Sequence, residues 1–144
     1  MKKAPYYNEE IDDKAIFGSY LIIAAGAGLI LGAWLPWAHF LNDGQGWVYG
    51  LDGVGKYTAL IALPLIAAGI YRMKSPARAA GIAAIILGLL ATGIGVSKLI
   101  DPKSIVEDTY YAEFSVSEGL YLTVLAGLIG IAGGVVKALL AKVK

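Results

Sequence analysis

Residues 16–41, IFGSYLIIAAGAGLILGAWLPWAHFL, contain no acid and no fixed base, and His39 is their one titratable side chain. A bilayer core of roughly 30 Å is crossed by about 20 apolar residues at a helical rise of 1.5 Å. This stretch is long enough to span. The rest of the chain is therefore read in a membrane frame.

Composition agrees with that frame. The 144 residues are 58% hydrophobic and only 16% charged, against about 25% charged in average soluble domains. Glycine occurs 19 times. Soluble helices disfavour it, whereas membrane helices use it to bring backbones close. Without cysteine there is no disulfide, thiolate metal site or cysteine nucleophile. A net charge of +1 gives a nucleic-acid partner no electrostatic support. The acids Glu9, Glu10, Asp12 and Asp13 before a long apolar run are unlike a cleaved signal peptide, so the first span is expected to be retained.

The reading is a single all-α domain over 1–144, an integral membrane four-helix bundle. Its spans are expected at about 14–41, 54–73, 76–98 and 116–140, with outer loops at 42–53 and 99–115. Asp12 or Asp13 is the expected N-cap of the first helix and Asp52 that of the second. Pro64 lies mid-way along the second. Ser75 and Pro76 form a favoured start for the third, which makes helices 2 and 3 a hairpin. Ser115 and Glu118 fit a capping box before the fourth.

Small residues recur at helical spacing. Ala24, Gly28 and Gly32 form a four-residue ridge. Gly81, Gly88 and Gly95 recur every seven residues, with Ala84 and Ala91 between them, as in a heptad seam. Gly127, Gly130 and Gly134 give the fourth helix a similar face, expected to pack on the third. These eight glycines are the candidate interaction residues, within the bundle or toward another subunit. Trp34, Trp37, Tyr110, Tyr111 and Phe114 are the expected interface anchors, because such rings favour the headgroup level.

Cations set the orientation. Nine of the twelve fall in the terminal segments and the short hairpin: Lys2, Lys3, Lys14, Arg72, Lys74, Arg78, Lys137, Lys142 and Lys144. Lys56, Lys98 and Lys103 fall in the other two loops, with seven acids. Both termini are therefore expected on the cytoplasmic side of a prokaryotic-type membrane, facing away from a negative outer surface.

Motifs for chemistry are weak. GLDGVGKY, residues 50–57, approaches the phosphate-loop pattern G-x-x-x-x-G-K-(S/T), but Tyr57 replaces the magnesium-holding hydroxyl, and no nucleotide is expected. His39 with Asp43 or Asp52 offers too few fixed ligands for a metal; it is the weak candidate for a haem- or pigment-type cofactor. No charge falls in the middle of any expected span, where it would mark function. Thr58, Thr92 and Thr123 are the polar groups at depth. No catalytic set is visible, so no enzyme activity and no cofactor are expected.

WLPW at 34–37, GLDG at 50–53 and GLYLTVLAGLIGIAGG at 119–134 resemble small uncharacterised four-span bacterial membrane proteins. That resemblance implies a fold and no activity. The two-loop topology is also similar to claudin-type tetraspan proteins, although their W-GLW-C-C motif is absent: Trp47 is present without cysteines. The expected function is a non-enzymatic accessory or structural subunit whose glycine faces pack with other subunits or with itself. The alternatives are a small oligomeric channel or carrier, and a lipid- or pigment-binding membrane protein.

Overall fold

Pro36 ends the first helix. A residue preceding proline is pushed out of the helical region, and proline has no N–H for the carbonyl four residues back. In the computed structural model, which describes residues 9–40, 46–71, 73, 77–105 and 114–140, helix α1 runs Glu9–Trp34 and the chain then turns into a strand. The carbonyl that Pro36 cannot serve belongs to Gly32. The Trp37 indole takes its place, with Nε1 donating to the Gly32 oxygen at 2.8 Å.

The expectation of one helix through residue 41 is corrected accordingly. Residues Pro36–Phe40 form β1, Trp47–Tyr49 form β2 and Phe114–Val116 form β3. They pair in the order β2-β1-β3, both pairs antiparallel. Pro36 sits at the first position of the central strand, beside a register shift before Ala38, where a missing N–H is tolerated. The Ser117 N–H donates to the Trp37 oxygen at 2.9 Å, joining the sheet to the start of the last helix. An all-α description thus needs this small sheet added.

The remaining helices are α2 Gly55–Ile70, α3 Arg78–Ile100 and α4 Glu118–Leu140. Short 3-10 turns occupy Gly50–Asp52 and Pro102–Ile105. The chain is mostly helical, and α1, α3 and α4 are long and apolar enough to cross a membrane. Helix α2 is apolar but has 16 residues, about 24 Å of rise, and Pro64 lies inside it.

Several expected caps move. Helix α1 begins at Glu9, so Asp12 and Asp13 lie within it rather than ahead of it. Val54, not Asp52, precedes α2, and no side chain caps that start. Asp52 belongs to the 3-10 turn, where its carboxylate accepts from the Tyr49 N–H at 3.3 Å. Ser115 lies in β3, two residues too early to form a box with Glu118 in the first turn of α4. Ser75 and Pro76 fall outside the described residues.

Neighbouring helices run antiparallel. Gly18 of α1 meets Gly133 and Lys137 of α4, and Gly32 meets Thr123 and Gly119 at the other end. Gly81 of α3 lies against Gly134 and Ala138, and Gly95 against Val124. Helix α4 therefore packs between α1 and α3, and α2 covers the groove on the α1 side, its Gly69 against Ser19 and Ile23. The core is Ile22, Ala25, Leu29, Ala62, Leu65, Ala84, Ala91 and Ala126.

Removing the indole donor leaves the Gly32 carbonyl buried without a partner, a loss of about 1–3 kcal/mol. Trp37→Phe is expected to lower the unfolding free energy by that amount in detergent, measured by chemical denaturation. Trp34→Phe, at an exposed ring, is expected to change it by less than about 0.5 kcal/mol.

Candidate functional site

Three places in the bundle bring together residues with more than a filling role: the glycine contacts, a buried lysine at one end, and a cleft at the other.

The eight glycines singled out by spacing each lie against another helix of the same chain. A methyl on Gly88 would stand 2.8 Å from the Gly127 oxygen, and one on Gly81 would stand 2.7 Å from the Gly134 oxygen. One on Gly28 would stand 2.9 Å from Ala126 Cβ, and one on Gly32 would reach Thr123 Oγ1 at 2.5 Å. Gly95 faces Val124, and Gly130 faces Ala25 and Leu65. At such separations any larger side chain would force the backbones apart. Gly93 of α3 differs, since among the described residues nothing lies within 4 Å of a methyl there.

The threonines at depth are turned to their own helices. Thr58 Oγ1 donates to the Gly55 oxygen at 2.6 Å and Thr123 Oγ1 to the Gly119 oxygen at 2.9 Å. Thr92 Oγ1 is buried, lies across the seam from Gly127, and has no hydrogen-bond partner among the described residues.

Lys137 counts in the sequence among the nine cations of the terminal segments and hairpin, yet its side chain is fully buried. Its ammonium donates to Ser19 Oγ at 2.8 Å and to the Tyr71 oxygen at 2.7 Å. The Ala68 and Gly69 oxygens lie at 3.4 Å. The Ser19 hydroxyl in turn donates to the Met73 oxygen at 3.2 Å. The last carbonyls of α2 have no helical donor of their own, and a cation is favoured at that negative end. Lys137 thus caps α2 from α4 and ties in α1 through Ser19. A signal for this was present. Gly127, Gly130 and Gly134 step by three and four, and the next step lands on residue 137, on the same inward face.

The opposite end carries the sheet. Trp34, 68% exposed, stands on the outer surface. Trp37, expected as a second anchor, is only 2% exposed and packs inward over Gly50. His39 on β1 pairs with Trp47 and Ser115, and its ring stacks on Trp47 at a centroid distance of 4.0 Å. Among the described residues no three His, Cys, Asp or Glu side chains converge as a metal site. Tyr110, Tyr111 and Asp43 fall outside the described residues, as does the side chain of Phe114.

Strand β2 precedes the Gly50–Tyr57 stretch, so the segment before it is not a loop. The stretch is folded on itself all the same: Gly53 N–H donates to the Gly50 oxygen at 3.1 Å, and Gly55 packs on the Gly50 backbone. Beside it lies a cleft of about 360 Å³, lined by Tyr49, Asp52, Lys56, Tyr57, Lys98 and Ile105 among others.

Comparison with family models, with curated proteins and with solved structures finds no match for the chain.

Lys137→Met is expected to strand the α2 carbonyls and cost about 2–4 kcal/mol of stability, since hydrogen bonds from a charged donor are the stronger ones. Ser19→Ala removes one of the ammonium's acceptors and is expected to cost about 1 kcal/mol. Denaturant titration in detergent, followed by circular dichroism, reads both.

Proposed function

We propose that this protein is a non-enzymatic structural or accessory subunit of a membrane assembly, a four-span bundle with both termini on the cytoplasmic side. The three long apolar helices support membrane insertion. Helix α2 would complete the fourth span, with Val54 and Tyr71 extending its apolar length at either end. The excess of cations in the terminal segments supports the orientation.

The observation that carries the subunit reading is the outer face of α3. The bundle uses its close-packed glycines internally, and α3 is the least buried of the three long helices. Ile82, Ile86, Leu89, Gly93, Val96 and Ile100 follow one another at steps of three and four along its exposed side. Lipid needs no glycine in such a row. A second membrane helix does, because the gap at Gly93 lets its backbone approach. The partner is a transmembrane helix of another subunit or of a second copy. The channel reading gains no support from Thr58 and Thr123, whose hydroxyls are committed to their own backbones.

Native membranes solubilised in a mild detergent and run on a native gel test this. The chain is expected to migrate in an assembly larger than its monomer. Gly93→Leu is expected to release the monomer with its helicity and stability intact, since the site has room for the side chain. Gly88→Leu should instead unfold the bundle. A monomer in native membranes, or an assembly indifferent to Gly93→Leu, would reject the proposal.

A further inference from the structure

The exposed tyrosines and tryptophan of the helices lie at two heights in the bundle. Tyr20 and Trp34 are on α1, Tyr57 is in the first turn of α2, Tyr71 lies just past its end, and Tyr121 is in the first turn of α4. Each is more than half exposed. The helix contacts set their heights. Gly69 of α2 lies against Ser19 and Ile23, which puts Tyr71 within a turn of Tyr20. Gly26 lies against Ala62 and Ile66, which puts Tyr57 within a turn of Trp34. Gly32 lies against Gly119 and Thr123, which brings Tyr121 to that same height. A ring with a polar tip favours the boundary between hydrocarbon and water, so the two levels read as the two boundaries. Between them the exposed residues of the four helices are apolar, Leu60, Leu63, Leu89, Leu125 and Leu128 among them. Beyond them come Lys14 and Arg78 at one end, with the exposed Phe17 and Leu139, and Asp52 and Asp101 at the other.

The band between the levels is narrow. Tyr20 and Trp34 are 14 residues apart, as are Tyr57 and Tyr71. At a rise of 1.5 Å per residue each pair spans about 21 Å. Helix α2 has 16 residues and is itself about 24 Å long. An ordinary hydrocarbon core is about 30 Å thick. Tilt does not close this gap, because a tilted helix covers less thickness than an upright one. A thicker bilayer must either thin beside the protein or take the tyrosine hydroxyls into hydrocarbon, and both cost free energy.

We propose that the bundle is fitted to a thin bilayer and selects lipids with short acyl chains, an inference that rests on the membrane-spanning reading above. The two ring levels bound the hydrocarbon that the protein displaces. The match is closest beside α2, the shortest of the four helices.

The test reconstitutes the full chain into vesicles of phosphatidylcholine with monounsaturated chains of 14 to 22 carbons, each mixed with a brominated 18-carbon phosphatidylcholine. Bromine quenches the exposed Trp34, so recovered fluorescence measures how well each lipid displaces the brominated one. The strongest binding is expected at 14 or 16 carbons, about threefold above that at 22. Removing one ring from each level, Tyr20→Leu with Tyr121→Leu, is expected to move the optimum at least two carbons longer. Both side chains are exposed, and circular dichroism checks that the variant remains helical. Strongest binding at 18 carbons or more in the wild type, equal binding at every length, or an unchanged optimum in the variant would overturn the proposal. Flotation on a density gradient separates those results from failure of the underlying reading. A chain that floats with none of the vesicles would overturn membrane insertion itself.

Discussion

Everything in this bundle depends on how closely α4 approaches its two neighbours. Glycine faces backbone across both seams, Gly88 against Gly127 on one side and Gly18 against Gly133 on the other. In hydrocarbon no hydrophobic driving force holds helices together, because lipid tails are as apolar as leucine. Association rests on dispersion contacts and on what polar bonds can be made. Bringing backbones to near contact maximises the first term, and only a residue without a side chain permits it. The same choice leaves the large side chains outward, where lipid or a partner can cover them.

Polar groups fasten the two ends of the glycine-packed middle. At one end Trp37 supplies the donor that Pro36 withholds, and the chain can leave α1 as a strand without stranding the Gly32 carbonyl. At the other end Lys137 gathers the last carbonyls of α2 and the Ser19 hydroxyl. Each device satisfies backbone groups that a helix terminus leaves open. A terminus buried in a bundle needs such a partner more than one bathed in water does.

Much of the helical layout was legible because the signals are long. Runs of more than twenty apolar residues and glycines at steps of three, four and seven survive any local detail, and α3 and α4 lie within about two residues of where the periodicity places them. The misreadings share a cause, which is that a few residues of local chemistry outweighed the run. The apolar stretch continues through WLPW, yet one proline ends the helix at Trp34. Strands of three to five residues are too short for a period to show. Asp52 looked like a cap by residue type, but a 3-10 turn claimed it first. Lys137 lies near a helix end, where a long cationic side chain usually reaches outward to the headgroups. Whether it turns inward depends on three carbonyls and a serine from two other helices, which proximity in sequence does not reveal.

The proposed function requires a chain that crosses the bilayer four times with its sheet end outside. The absence of native cysteine makes this directly measurable by single-cysteine labelling in intact cells with a membrane-impermeant maleimide. Gly53→Cys, in the exposed turn beside the cleft, is expected to react from outside. Arg78→Cys, at the exposed start of α3, is expected to react only after the membrane is opened. The reverse pattern would invert the orientation and place the cleft in the inner leaflet. Labelling of both sites from the same side would contradict the four-span account itself.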